Sequence, residues 1–181
     1  MDGTLTVPVH DFEAIRRALD LPPGLPILEA LAAMPPAQSE PLHAQLFDIE
    51  RKLAEGARAW PGVDEVLHHL TDQGCALAVL TRNSTELAHI TLEAAGLARF
   101  FPKRVVLGRE DAEPKPSPEG VEKILGLLGV TADATTMVGD YVFDVDAGRA
   151  AGCRTVLVDR EGHGRWRSST DRVVSDLREL L

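Results

Sequence analysis

The stretch Thr135–Val158, TTMVGDYVFDVDAGRAAGCRTVLV, decides the fold. It opens on a short apolar run, Thr135–Val138, and turns at Gly139-Asp140. A helical segment, Asp144–Ala151, follows and stops at Gly152, and a second apolar run, Arg154–Val158, closes the stretch. Strand, helix and strand in that order make a βαβ unit, whose strands lie parallel because a crossover separates them. The alternation extends upstream through the runs Ala76–Leu80 and Arg104–Leu107. Between the runs, Leu87, Ile90 and Leu92, then Val121, Ile124, Leu125 and Leu128, recur at helical spacing. Gly96 and Gly152 stand where helix C-caps are expected. The reading is an α/β fold with a doubly wound parallel sheet, a topology that gathers its chemistry at the carboxyl ends of the strands.

Residues 9–57 have a different texture. Phe12, Ile15 and Leu19 fit one helix, Ile27, Leu28 and Leu31 a second, and Leu42, Leu46, Ile49 and Leu53 a third, with Pro22-Pro23 and Pro35-Pro36 as punctuation. The expectation is a small all-helical cap over 9–57, inserted in an α/β core made of 1–8 and 58–181. Val63, Val66, Leu67 and Leu70 mark the helix that leads back into the sheet.

Composition narrows the function. Nineteen basic against 28 acidic residues leave a net charge of −9, which disfavours nucleic acid and anionic membranes as partners. No apolar stretch approaches the roughly 18 residues a membrane helix needs. An acidic residue at position 2 and no basic-then-apolar leader make the cytoplasm the expected address. Cys75 and Cys153 read as two small buried thiols rather than a disulfide or metal site.

The residues just past the apolar runs carry the chemistry. Leu80 is followed by Thr81-Arg82-Asn83 and Val138 by Gly139-Asp140, the chain opens with Met1-Asp2-Gly3-Thr4, and Lys115 lies in a proline-dense loop after the run that ends at Leu107. Carboxylates can hold a hard cation such as Mg²⁺, and Lys with Thr can hold the oxygens of a phosphoryl group. In this order, Asp2-Gly3-Thr4, Thr81, Lys115 and Gly139-Asp140-Tyr141-Val142-Phe143-Asp144 resemble the four motifs of the haloacid dehalogenase-like hydrolase superfamily. The helical cap between the first two motifs is similar to that of its phosphoglycolate phosphatase-like branch.

The resemblance implies a Rossmann-like core and a Mg²⁺-dependent phosphatase that acts on a small phosphorylated metabolite through an aspartyl-phosphate. It implies Asp2 as general acid/base, with its backbone carbonyl on the metal; Thr81 and Lys115 as phosphoryl-binding groups, with Arg82 and Asn83 beside them; and Asp140 and Asp144 as metal carboxylates. The structural alternatives are turn capping for Asp2, helix capping for Thr81 and Asn83, a solvated lysine, and a helix-terminal charge for Asp144. The family's first motif is Asp-x-Asp-Gly-Thr, and here Met1 stands at x. The expectation is therefore that Met1 is an internal methionine, with a central strand and the nucleophilic aspartate immediately upstream. The competing readings are a pseudoenzyme that retains only anion binding, a phosphomutase and a dehalogenase. His68-His69, His163 and Trp166 read as surface structure, as do His43, Arg51, Lys52 and Arg58 of the cap, which are the candidates to meet a substrate's anionic end.

Overall fold

The computed structural model describes residues 1–9 and 11–181. Three helices follow the opening turn: α1 (Phe12–Ala18), α2 (Ile27–Ala32) and α3 (Pro36–Glu55). Asp11 starts α1 by accepting the Ala14 N–H at 2.9 Å. Pro36 is the first residue of α3, the one helical position where a missing N–H costs nothing. Ile15, Leu19, Leu21, Ile27, Ala30, Leu31 and Leu46 bury one another, with Leu42, Ile49 and Leu53 packed on them. All of these positions come from the segment read as a cap. Phe12 departs from its expected place and is 63% exposed, because the α1 stripe that turns inward is Ile15 and Leu19.

The rest alternates as its periodicity requires: α4 (Val63–Asp72), β1 (Val79–Leu80), α5 (Thr85–Ala94), β2 (Val106–Leu107), α6 (Glu119–Leu128), β3 (Thr136–Gly139), α7 (Val142–Ala150), β4 (Arg154–Val158) and β5 (Arg172–Val174). The named strands pair in parallel, with Val79 opposite Val106, Thr136 opposite Arg154, and Val156 opposite Arg172. No helix among the described residues is long and apolar enough to cross a membrane.

Two features differ from the sequence reading. The runs Ala76–Leu80 and Arg104–Leu107 yield only two paired residues each, and Ala76 is exposed. Cys75 follows it into solvent as an exposed thiol, since it ends the turn after α4 rather than entering a strand, whereas Cys153 is buried. The sheet is also not continuous: β1 pairs with β2, β3 with β4 and β4 with β5, and β1 is not bonded to β3. Both groups nevertheless belong to one layered body. Val79 and Val106 share an apolar cluster with Val156, Val158 and Val174, while Leu80 and Leu107 share the opposite one with Ala147 and Cys153. Successive strand residues thus feed opposite faces, as the pleat demands. Along β3, Thr136 is exposed and Met137 and Val138 are half-buried.

Candidate active site

The carboxyl ends of β1 and β3 meet through one lysine. Lys115 is 7% exposed, and its ammonium donates to the Leu80 carbonyl at 2.9 Å and to Asp144 Oδ1 at 2.6 Å. The loop from β2 to α6 thereby reaches across both strand ends. Asp144, in the first turn of α7, also accepts the Tyr141 N–H on Oδ2 at 3.1 Å. Burial pushes the Asp144 carboxyl up, but the Lys115 ammonium, its hydrogen bond and the Tyr141 amide outweigh burial and hold it below the usual range. Gly139 makes the approach possible, because a Cβ there would fall 2.2 Å from Asp144 Cγ.

Asp140 is the second carboxylate. Thr4 Oγ1 donates to its Oδ1 at 2.6 Å, and Gly3, at a φ of +80°, lies so close that a Cβ would stand 2.2 Å from Oδ2. Burial pushes the Asp140 carboxyl above its ordinary value; the Thr4 hydrogen bond pulls it back, and the charge of Asp144 adds to the rise. Asp2 is half-buried, bridges to Thr6 and accepts the Thr6 hydroxyl on Oδ1 at 3.2 Å.

Thr81 ends β1 and is 7% exposed. Its hydroxyl oxygen accepts the Asn83 N–H at 3.1 Å, so its own proton remains to be donated elsewhere. Helix capping falls to Ser84, which accepts the Leu87 N–H at 3.2 Å. Asn83 uses its side-chain oxygen on the Ser84 N–H. Arg82 points toward the cap, paired with Glu29 of α2 and lying over the Phe143 ring at 5.1 Å. Asp146 is exposed, as are His43, Arg51, Lys52 and Arg58.

The structure adds residues that pattern reading missed. Thr4 touches Asp140 across 136 positions of sequence, a partnership no local period reveals. Arg160, just past β4, donates to the Thr4 carbonyl at 3.3 Å and lies over the Trp60 ring at 4.5 Å. Its position after a strand, like that of Thr81 after β1, is the signal that could have found it. Trp166 is half-buried rather than simply at the surface: at a φ of +59° the chain turns its ring onto Tyr141, with centroids 4.8 Å apart.

Among the described residues, no three His, Cys, Asp or Glu side chains lie close enough to hold an ion by themselves. A hard cation that keeps several waters and takes one or two carboxylates suits a smaller set. Asp140, whose Oδ1 takes the Thr4 hydroxyl, could serve as a direct ligand. Asp144, already held by Lys115, suits a water-mediated role.

Comparison with known proteins identifies the family of the chain. The chain is 31% identical to a β-phosphoglucomutase of Mycobacterium tuberculosis, over 91% of this chain and 65% of that protein. It is 30% identical to a phosphoglycolate phosphatase of Pseudomonas putida, over 80% of this chain and 54% of that protein, so it spans about half to two thirds of their lengths. Among solved structures, a hydrolase from Pseudomonas syringae superposes with a TM-score of 0.76 at 23% identity, covering 99% of this chain and 92% of that one. The sequence model of the haloacid dehalogenase-like hydrolases matches residues 21–158, from the connection between α1 and α2 to the end of β4, and this chain belongs to that family.

Proposed function

We propose that the crevice hydrolyses the phosphomonoester of a small metabolite, with an aspartate bonded to the Met1 nitrogen as the nucleophile. The observation that carries this reading is the buried Lys115 ammonium, which joins the ends of β1 and β3 and has used two of its three donors. The third, with the Thr81 hydroxyl, is available to the oxygens of a transferring phosphoryl group. Thr4 Oγ1 bonds Asp140 and a Cβ on Gly3 would meet the same carboxylate, so the turn that begins at Met1 lies at this centre. The unbonded edges of β1 and β3 suit a strand that delivers that residue.

The chemistry then balances in two steps. The aspartate oxygen bonds to phosphorus as the ester P–O bond breaks, and Asp2 gives its proton to the leaving alkoxide. Asp2 next takes a proton from water, whose oxygen bonds to phosphorus as the aspartyl P–O bond breaks, releasing inorganic phosphate. Mg²⁺, held by Asp140 with Asp144 behind it and by the Asp2 carbonyl, would supply charge neutralisation for the phosphoryl oxygens. The helical segment would shield the crevice from water.

The test is hydrolysis of p-nitrophenyl phosphate by a version of the chain extended upstream through that aspartate. Mg²⁺-dependent turnover, lost when the aspartate becomes Asn and at most weak in chain 1–181 alone, is the expected result. Equal turnover by chain 1–181 would require another nucleophile and overturn the reading. The β-phosphoglucomutase relative favours a second reading, phosphoryl return to the substrate, which the same assay separates by following inorganic phosphate.

A further inference from the structure

The molecule holds few aromatic side chains, with two Trp, one Tyr and five Phe in 181 residues. Three of them nevertheless converge beside the carboxylate pair. Tyr141 follows Asp140 directly, and Phe143 precedes Asp144. Their rings meet nearly perpendicularly at 5.0 Å, and Trp166 reaches Tyr141 from the β4–β5 connection at 4.8 Å. Arg82, next to the phosphoryl-binding candidate Thr81, completes the strip from the other side, its guanidinium 5.1 Å from the Phe143 centroid and paired with Glu29 of α2. The strip therefore runs from the proposed phosphoryl centre toward the cap, where a leaving group would lie.

Packing does not account for this arrangement. Tyr141 is 48% exposed although flanked by two rings, and it joins none of the apolar clusters of the core. Trp166 is held against it by a left-handed backbone conformation, which costs a bulky residue on the order of 1 kcal/mol or more. Exposed aromatic rings fixed edge-to-face by neighbours leave free faces and edges for a ligand ring at little cost in side-chain entropy. A guanidinium at one end suits an electron-rich ring, which it attracts through the π face.

We propose that Tyr141, Phe143 and Trp166, with Arg82, form a platform for a planar aromatic or heteroaromatic leaving group, so that the substrate class is an aryl or heteroaryl phosphate ester. This rests on the reading of the crevice as a phosphoryl site, but it can be tested without turnover. Phenylphosphonate and methylphosphonate carry the same anionic head and are not hydrolysed, and their affinities for chain 1–181 with Mg²⁺ can be measured by titration calorimetry. Phenylphosphonate is expected to bind roughly five- to tenfold more tightly, the scale of one or two aromatic contacts. In Tyr141→Ser and, separately, in Trp166→Leu the preference should shrink to within about twofold while methylphosphonate binding is unchanged. Equal affinities in the wild type, a preference that survives both substitutions, or failure to bind either phosphonate would overturn the platform. The hydrolysis assay stands apart from this. Aryl preference without turnover in the extended chain would remove the phosphatase reading alone, and turnover without aryl preference would remove the platform alone.

Discussion

Lys115 and Asp144 form the most buried ion pair of the molecule among those described, their side chains 8% and 9% exposed. Removing one partner of such a pair leaves a charge that the interior cannot solvate. Lys115→Met is therefore expected to lower stability by about 3–5 kcal/mol. Pairing it with Asp144→Asn should return part of that loss, and a double-mutant cycle by urea denaturation checks the coupling; additive losses would show that the two charges are independent. Gly3 makes the second residue-level prediction. At a φ of +80°, with Asp140 in the space a Cβ needs, Gly3→Ala should displace that carboxylate. Stability should fall by about 1 kcal/mol, and turnover of the active form by about a hundredfold, the scale of a misplaced catalytic group. An unchanged kcat/KM for this variant would mean that Asp140 does not act where it lies. Residues 81 and 140 stand just past apolar runs and could be singled out from the sequence, whereas 115 and 144 lie in a loop and in a helix and came from the resemblance of the motifs. The roles of Thr4 and Arg160 were not legible, because what matters about them is a contact with Asp140 in one case and with Thr4 in the other, made only once the chain has folded.

At the scale of elements, the alternation of apolar runs and helical stripes was sufficient for β3, α7 and β4, where run, glycine stop and next run follow one another closely. It overestimated β1 and β2, since an apolar run becomes a strand only over the residues that find a hydrogen-bonded neighbour. It missed β5, because Arg172–Val174 is too short to show a period and is recruited by the edge of β4. The C-terminal turn that follows β5, Leu177–Leu180, is capped by Asp176, which accepts from the Arg178 N–H at 2.9 Å and pairs with its guanidinium. The hydrogen bonds from the Arg178 side chain and backbone hold the Asp176 carboxyl at about 2, below its usual 3.8. A depressed carboxyl contributes its stability above the unfolded value and loses it as pH falls through the folded one. Asp176→Asn should thus cost about 0.5–1 kcal/mol near neutrality, scaled down for solvent screening. That difference should narrow between about pH 4 and pH 2 in denaturation profiles. A difference independent of pH across that window would assign the effect to packing instead.

Among the described residues the apolar side chains gather in three clusters, one in α1–α3 and two in the α/β part. α3 packs against α5, and Glu50–Arg109 at 3.3 Å and Glu29–Arg82 tie the loops after β2 and β1 to α3 and α2. Because Arg109 and Glu50 are only 18% and 14% exposed, their coupling should exceed the few tenths of a kcal/mol of the exposed Arg51–Glu55 pair, reaching about 1–2 kcal/mol in a double-mutant cycle. Equal couplings would make the contact incidental. The change of texture, from all-helical periodicity to alternating runs, is matched by α1–α3 followed by alternating strands and helices. The interruption between β1 and β3 was not legible in the sequence, because hydrogen bonding across a sheet depends on which strands lie side by side. That interruption and the contacts of Gly3 and Thr4 with Asp140 belong to the proposed account, in which an aspartate delivered there receives the phosphoryl group. The most direct measurement is intact-protein and peptide mass spectrometry of the extended chain, acid-quenched during turnover. The account predicts one transient phosphoryl adduct on the aspartate immediately before Met1, absent when that residue is Asn. Turnover with no adduct, or with the adduct on any other side chain, would contradict it.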